Sequence, residues 1–210
     1  MQIAVVLYDR VTALDAIGPY EILSRLPGAS LVFVAAEAGP VVTDTGRLTL
    51  VAASSLSEVP APDLILVPGS PAAPTGDGRL LGWLRAADAG TTWTTSVCTG
   101  SLVLAAAGLL AGRRATTHWL AHDRLAAFGA RPVEERVVVD GKYATAAGVS
   151  AGIDLALDLA ARIAGPDVAQ SLQLAIEYDP APPFDAGSPR TAPATIVAGL
   201  RANRHLMLDA

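Results

Sequence analysis

Four short runs rich in apolar and β-branched residues organise the first half of the chain. They lie at residues 2–7, 31–36, 64–67 and 93–97, and each is closely followed by Gly, Pro, Asp or another residue that interrupts regular structure. Runs of this kind are typical of parallel strands that are buried on both faces. Segments with the helical spacing of apolar residues lie between and after them, at residues 19–26, 79–89 and 99–107. This alternation predicts an α/β fold, with a mostly parallel sheet between helices.

Two stretches predict antiparallel additions to this sheet. Asp44-Thr45-Gly46 stands between two alternating runs within residues 41–52. Asp140-Gly141, a stronger turn signal, separates residues 136–139 from residues 142–146. Because Asp-Gly is a preferred two-residue hairpin turn, we expect a β-hairpin in both places.

The last third of the chain predicts two helices and an extended arm. The helices are expected at residues 151–164 and 168–176. Beyond Glu177 the composition becomes proline-rich, so the chain cannot be helical again until about Ala192. We expect one domain over residues 1–210, with this arm as its C-terminal part.

Composition and charge argue against several classes of function. A net charge of -5 and a pI near 5.1 leave no basic surface for a phosphate backbone. The N-terminus becomes polar too soon for a signal peptide, and the apolar stretches are interrupted before they reach the roughly 20 residues of a membrane span. We therefore expect a cytoplasmic protein that binds neither nucleic acid nor membranes.

Cysteine and histidine usage argues against cross-links and metal sites. The single cysteine cannot form an internal disulfide, and the three histidines are spread over positions 118, 122 and 205. No zinc-binding pattern is present, and we expect no cofactor. The lone cysteine, Cys98, must be judged by its setting.

Cys98 lies between a predicted strand and a predicted helix, in a turn of small residues. Sharp elbows of this kind lift a nucleophile onto the carboxyl edge of an α/β sheet, where such folds bind their ligands. Because a helix N-terminus favours anions, we expect the pKa of the Cys98 thiol to fall below its ordinary value of about 8.5. A lone cysteine is more often a small buried hydrophobe, but the flanking sequence favours a nucleophile here.

Two further segments follow predicted strands at the same edge. Asp15 is an acid in apolar company that could reach Cys98 and move protons, or it could be the N-cap of a helix that starts near Pro19. Gly69 and Ser70 could point their amides at the thiolate and stabilise developing charge, or they could simply form a turn.

A Cys-His couple is an alternative arrangement. His118 or His122 could act as a base toward Cys98, with Asp123 or Asp154 as the downstream acid, and spacing alone does not exclude this. His118, however, precedes a segment rich in Ala and Leu, where a structural histidine is the commoner outcome. We favour the structural role for His118.

Four strings together resemble isocyanide hydratases of the DJ-1/PfpI superfamily, and the likeness covers nearly the whole chain. They are Leu-Asp-Ala-Ile-Gly-Pro at 14–19, Thr-Ser-Val-Cys-Thr-Gly-Ser-Leu at 95–102, Ala-Thr-Thr-His-Trp at 115–119 and Ala-Pro-Pro-Phe-Asp-Ala-Gly-Ser-Pro at 181–189. The Cys-Thr-Gly elbow is shared with regulatory relatives and is only moderately specific. The proline-rich arm together with the Asp15 loop is much more telling.

The resemblance implies a fold, a reaction and a set of site residues. The fold would be flavodoxin-like, of the DJ-1/PfpI type and similar to class I glutamine amidotransferases, with a nucleophile elbow. Cys98 would attack the terminal carbon of an isocyanide, Asp15 would act as general acid and base, and water would then release an N-substituted formamide. Thr99 would hydrogen-bond near the thiolate, beside the amides of Gly69 and Ser70. A second glycine is the family's expectation where Ser70 stands, and a homodimer is also implied.

Other members of the superfamily suggest competing functions. Protease and amidotransferase relatives place a His directly after the cysteine or use a downstream His, whereas position 99 is Thr. Glyoxalase-like relatives use a glutamate near the first loop, where this chain has Asp15. Regulatory relatives carry a C-terminal helix-turn-helix module, for which we see no room before Ala210. A ligand sensor or a redox sensor at Cys98 stays open as an alternative to an enzyme.

Overall fold

The computed structural model describes residues 1–208 as a central sheet with helices on both faces. In chain order the strands are β1 (Gln2–Val6), β2 (Ser30–Ala35), β3 (Gly39–Val42), β4 (Thr49–Ala52), β5 (Ser54–Ser55), β6 (Leu64–Val67), β7 (Trp93–Val97), β8 (Arg114–Ala115), β9 (Arg131–Pro132), β10 (Val137–Asp140) and β11 (Tyr143–Ala146). The helices are α1 (Ala13–Leu23), α2 (Gly78–Asp88), α3 (Gly100–Ala106), α4 (His122–Ala127), α5 (Ala151–Ala164), α6 (Pro166–Ala175), α7 (Ala194–Ala202) and α8 (His205–Leu208). Single 3-10 turns occupy Leu56–Glu58 and Trp119–Ala121.

The sheet has the strand order β10-β11-β7-β6-β1-β2-β5. All neighbouring pairs are parallel except β10 with β11. The five longer parallel strands follow the flavodoxin order, so the predicted fold class is confirmed. Because β1, β6 and β7 are direct neighbours, the loops after their carboxyl ends meet at one edge of the sheet. That edge is where the predicted site residues lie.

Strands β1 and β6 each contribute to two hydrophobic layers, whereas β7 contributes Trp93 and Val97 to one of them. In β1, Ala4 and Val6 face the layer formed with α2, α3 and α4, while Ile3 and Val5 face the layer formed with α1, α5 and α6. Successive strand residues point to opposite faces, so both sets of side chains are buried in a strand that is covered on both sides, which favours apolar residues along its length. This burial explains the continuous apolar runs in the sequence.

Both predicted hairpins are present, but they occupy different places. The hairpin around Asp140-Gly141 joins the main sheet, because β11 pairs with β7. The hairpin of β3 and β4 forms a separate two-stranded sheet. Gly46 and Gly141 have positive φ angles of 71° and 65°, which explains a glycine in each turn.

Helix α1 begins earlier than predicted. It starts at Ala13 with Thr12 as its N-cap, and Pro19 lies inside it. Pro19 has no N–H to donate to the carbonyl of Asp15, so α1 lacks one hydrogen bond there. Its ring packs closely against α5, 3.1 Å from the position that a Cβ on Gly152 would take, and this packing compensates for the lost bond. Asp15 therefore lies in the first turn of α1, and the interpretation of Asp15 as an N-cap is wrong.

The arm has the predicted irregular form. Residues 177–193 contain neither helix nor strand, and α7 starts at Ala194, two residues after the predicted limit. None of the residues of α7 is buried, whereas Leu208 in α8 is 4% exposed. No helix within residues 1–208 is both long and apolar enough to cross a membrane.

Candidate active site

Cys98 occupies the predicted elbow between β7 and α3. Its φ angle is +57°, in the left-handed region that non-glycine residues rarely adopt. Its N–H donates to the carbonyl of Ala146 at 3.0 Å, and its own carbonyl accepts from Ser101 Oγ at 3.1 Å and Thr117 Oγ1 at 3.0 Å. These bonds hold the strained turn from three sides. No role was predicted for Thr117 from the sequence, although this residue lies in the string at 115–119.

Two glycines let the loops at this edge come together. A Cβ on Gly100 would lie 2.0 Å from the carbonyl oxygen of Val67. A Cβ on Gly69 would lie 2.7 Å from Asp15 Oδ2 and 2.8 Å from the Cβ of Cys98. Since real Cβ contacts are not this short, only glycine fits at either position. Gly69 thus stands directly between the predicted acid and the predicted nucleophile.

Asp15 is completely buried beside Cys98. One carboxyl oxygen, Oδ2, accepts the N–H of Gly69 at 2.9 Å, while Oδ1 has no hydrogen-bond partner among the described residues. Burial raises the pKa of Asp15 to about 7, because desolvation outweighs the opposing effects of the Gly69 amide and Cys98. A carboxyl group with this pKa can donate and accept a proton near neutral pH.

The Cys98 thiol does not have the low pKa that its helix-terminal position predicts. Its pKa is raised, chiefly by burial and secondly by the charge of Asp15, although the Thr99 amide and hydroxyl act to lower it. The prediction was wrong because the side chain is only 6% exposed. Desolvation of a thiolate at such a site exceeds the stabilisation from a helix N-terminus. The thiol at this site therefore holds its proton more tightly than a free cysteine does.

Thr99, Gly69 and Ser70 lie beside the thiol, but two of the amides are already engaged. Ser70 N–H donates to Thr99 Oγ1 at 2.8 Å, and this hydroxyl donates to the carbonyl of Ser70 at 2.7 Å. The Gly69 N–H is held by Asp15. The prediction that both amides point at the thiolate is therefore wrong for this arrangement. The amide that acts on the sulphur is that of Thr99.

His118 lies apart from the pair formed by Cys98 and Asp15. Its Nδ1 accepts the N–H of Leu120 at 3.4 Å, and the ring packs against Gly148. Burial lowers the pKa of His118 to about 4, so the imidazole is neutral at neutral pH. His118 is not among the groups that shift the pKa of Asp15 or Cys98. This geometry favours the structural role.

Two cavities flank the elbow. One of about 310 Å³ lies against Thr117, His118 and Ala147 and is bounded by residues 187–190 of the arm. The other, of about 510 Å³, lies against Ser70 and Thr99. Within residues 1–208 no cluster of three or more His, Cys, Asp or Glu side chains could hold a metal ion. At the elbow itself the structure brings together a buried thiol, Cys98, and a buried carboxyl group, Asp15.

A model of the DJ-1/PfpI family matches residues 1–162, which include the whole elbow and Asp15. The chain belongs to the DJ-1/PfpI family. Within this family it is 48% identical over 201 residues to the isonitrile hydratase of Pseudomonas putida, covering 94% of this chain and 87% of that protein. This similarity confirms the resemblance to isocyanide hydratases and agrees with an enzyme of the hydratase class.

Two further comparisons bear on fold and function. The crystal structure of a THiJ/PfpI family protein from Pseudomonas syringae superposes with a TM-score of 0.95 at 38% identity, covering 99% of this chain and 87% of that one. The HTH-type transcriptional regulator CdhR of Pseudomonas aeruginosa is 37% identical over 139 residues, which cover 65% of this chain and 41% of the regulator. A protein named as an enzyme and one named as a regulator are thus both similar to this chain, so the family alone does not decide the function.

Proposed function

We propose that this protein hydrates an isocyanide to an N-substituted formamide, with Cys98 as nucleophile and Asp15 as general acid and base. The observation that carries the proposal is the 48% identity to an isonitrile hydratase over nearly the whole chain. The buried contact between the Cys98 thiol and a carboxyl group with a pKa of about 7 supports the assignment of roles.

In the first step the Cys98 sulphur bonds to the terminal carbon of R–N≡C, and the thiol proton ends on that carbon. Asp15 carries this proton, taking it from sulphur and delivering it to carbon, and the product is the thioimidate R–N=CH–S–Cys98. Because the thiol has a raised pKa, a neighbouring base is needed to make it nucleophilic. The free Oδ1 of Asp15 is the atom available for this transfer.

In the second step water adds to the thioimidate carbon. Asp15 accepts a proton from the water and passes it to the nitrogen, and the carbon–sulphur bond then breaks as the carbonyl forms. The remaining hydroxyl proton returns to sulphur, so R–N≡C and H2O give R–NH–CHO. The Thr99 amide lies where it can stabilise the departing thiolate.

The test is formamide production from a small aryl isocyanide, followed by loss of isocyanide absorbance and by mass spectrometry of the product. We expect turnover by the wild type, none by Cys98→Ala, and a loss of about 100- to 10,000-fold in Asp15→Asn. Asp123→Asn is the matched carboxyl-to-amide control, because Asp123 pairs with Arg204 at 2.9 Å away from the elbow. It should retain activity.

Intact-mass measurement of quenched reactions tests the covalent step. An adduct equal to the protein plus one isocyanide, absent in Cys98→Ala, supports the thioimidate. Turnover that survives in Cys98→Ala contradicts the assignment of the nucleophile. A wild type that is inert toward several isocyanides contradicts the reaction itself.

A sensor is the second candidate, because the regulator CdhR is also similar to this chain. Burial and the raised pKa of Cys98 argue against ready oxidation, which needs an exposed thiolate. An aldehyde-processing activity ranks third and is tested with methylglyoxal. Both alternatives gain if isocyanides are not consumed.

We further propose that the protein acts as a cytoplasmic homodimer. Large apolar side chains lie exposed on α6, the arm and α8, where Leu174 is 78%, Phe184 77% and Leu206 61% exposed. We propose that the second subunit covers these side chains, because exposed apolar surface is a feature of protein interfaces when it is contiguous. Apart from the second subunit, the proposed binding partners are small-molecule isocyanides. We propose that the protein binds neither nucleic acid nor membranes.

A further inference from the structure

Tyr8 lies behind the active pair, at the end of β1. Its hydroxyl donates to the carbonyl oxygen of Pro68, and its ring is half-buried. Burial is the main cause of the raised pKa of Tyr8, and the charges of Asp15 and Cys98 raise it further, so the phenol interacts with both groups. The reaction proposed above gives Tyr8 no part.

The peptide between Pro68 and Gly69 links Tyr8 to Asp15. A trans peptide is a rigid plane in which the carbonyl and the next N–H point in opposite directions. Here the carbonyl of Pro68 accepts the Tyr8 hydroxyl, and the N–H of Gly69 donates to Asp15 Oδ2 at 2.9 Å. A bond to the carbonyl both fixes the plane and polarises its N–H toward the carboxyl group.

We propose that Tyr8 is a positioning residue, which orients the Pro68–Gly69 peptide so that its amide binds Oδ2 of Asp15 and leaves Oδ1 free for proton transfer. The next peptide plane is held independently, since the carbonyl of Gly69 accepts the N–H of Thr12 at 2.9 Å. The inference rests on the proposed role of Asp15, but its test does not need an isocyanide.

Few ionisable groups act on Asp15. Cys98 and Asp44 shift its pKa, and Tyr8 interacts with its charge. Helix α5 packs against α1, but its Asp154 pairs with Arg136. An effect of Tyr8 on the titration of Asp15 can therefore be separated from other charges.

The experiment is the pH dependence of Cys98 alkylation by iodoacetamide, comparing wild type with Tyr8→Phe. The Gly69 amide lowers the pKa of Asp15, so loosening that amide raises the pKa. We expect the inflection due to Asp15 to move up by a few tenths to about one pH unit. The Asp15→Asn variant identifies this inflection, because its pH profile should lack the inflection. If the hydratase proposal holds, the pH profile of kcat/KM moves in the same direction.

Tyr143→Phe is the matched control, since it also removes a buried hydroxyl bond, to Asp88 at 2.9 Å, at the opposite end of the sheet. It should leave the inflection in place even if it lowers stability. If Tyr8→Phe fails to fold, fluorotyrosine at position 8 provides a stronger donor and should move the inflection down. Inflections that coincide with the wild type in every folded Tyr8 variant would overturn the proposal. Absence of isocyanide hydration in the wild type would contradict the hydratase proposal and leave this test of Tyr8 intact.

Discussion

Asp15 is a buried acid whose ionisation opposes folding. Its folded pKa of about 7 lies above the ordinary value of 3.8, so the native state binds a proton more tightly than the unfolded chain. The contribution of Asp15 to the free energy of unfolding is therefore fully present below about pH 4, and it is lost as the pH rises toward 7. The shift corresponds to a penalty on the order of 4 kcal/mol above neutral pH.

We expect Asp15→Asn to remove this pH dependence. Urea unfolding at about pH 5 and about pH 8 should show the wild type losing stability relative to the variant as the pH rises. Asn keeps an oxygen for the Gly69 amide, so the comparison isolates the charge. Parallel curves for the two proteins would mean that Asp15 is not raised as described.

At the residue scale, the sequence identified which side chains meet but not how they interact. Cys98, Asp15 and Thr99 do lie together, as the order of loops along a parallel sheet predicts. Neither the burial of Cys98 nor the engagement of the Gly69 amide could be predicted, because both depend on how closely the loops pack. The predicted direction of the shift in the Cys98 pKa was wrong for the same reason.

The turn from β7 into α3 depends on a close approach at Gly100. Because an added Cβ would lie 2.0 Å from the Val67 carbonyl, we expect Gly100→Ala to destabilise the protein by more than about 3 kcal/mol, since backbone must move. Gly82→Ala is the matched control inside α2, where nothing lies within 4 Å. Thermal unfolding should show Gly82→Ala unchanged or stabilised by about 0.5–1 kcal/mol. Similar stability of the two variants would contradict the packing argument.

Local patterns predicted most elements and failed where packing decided. Helix α5 spans the predicted 151–164, and β6 and β7 match their predicted bounds. The start of α1 was missed because proline normally ends or begins a helix, whereas the fit of Pro19 against Gly152 keeps it inside one. Whether a hairpin joins the main sheet is likewise a tertiary property.

For the whole molecule, we expect a dimer in solution. Sedimentation velocity should give about twice the monomer mass of 21.4 kDa. Leu174→Glu and Phe184→Ser place polar groups on the most exposed apolar positions, and we expect at least one of them to weaken association. Val51→Glu, on the separate β3–β4 hairpin, is an exposed apolar control. A monomer at all accessible concentrations would contradict the proposal.

The contacts at the elbow join parts of the chain that are far apart in sequence. Gly69 and Asp15 are separated by 54 residues, and Ser70 and Thr99 by 29. Forming such contacts requires closure of long loops, which slows folding relative to local helix formation. During refolding, helical signal should therefore recover before the thiol becomes buried. The fall in the alkylation rate of Cys98, from the fast rate of an exposed thiol to the slow rate of the native site, is thus a built-in reporter of the last stage of folding, in a chain with no other cysteine.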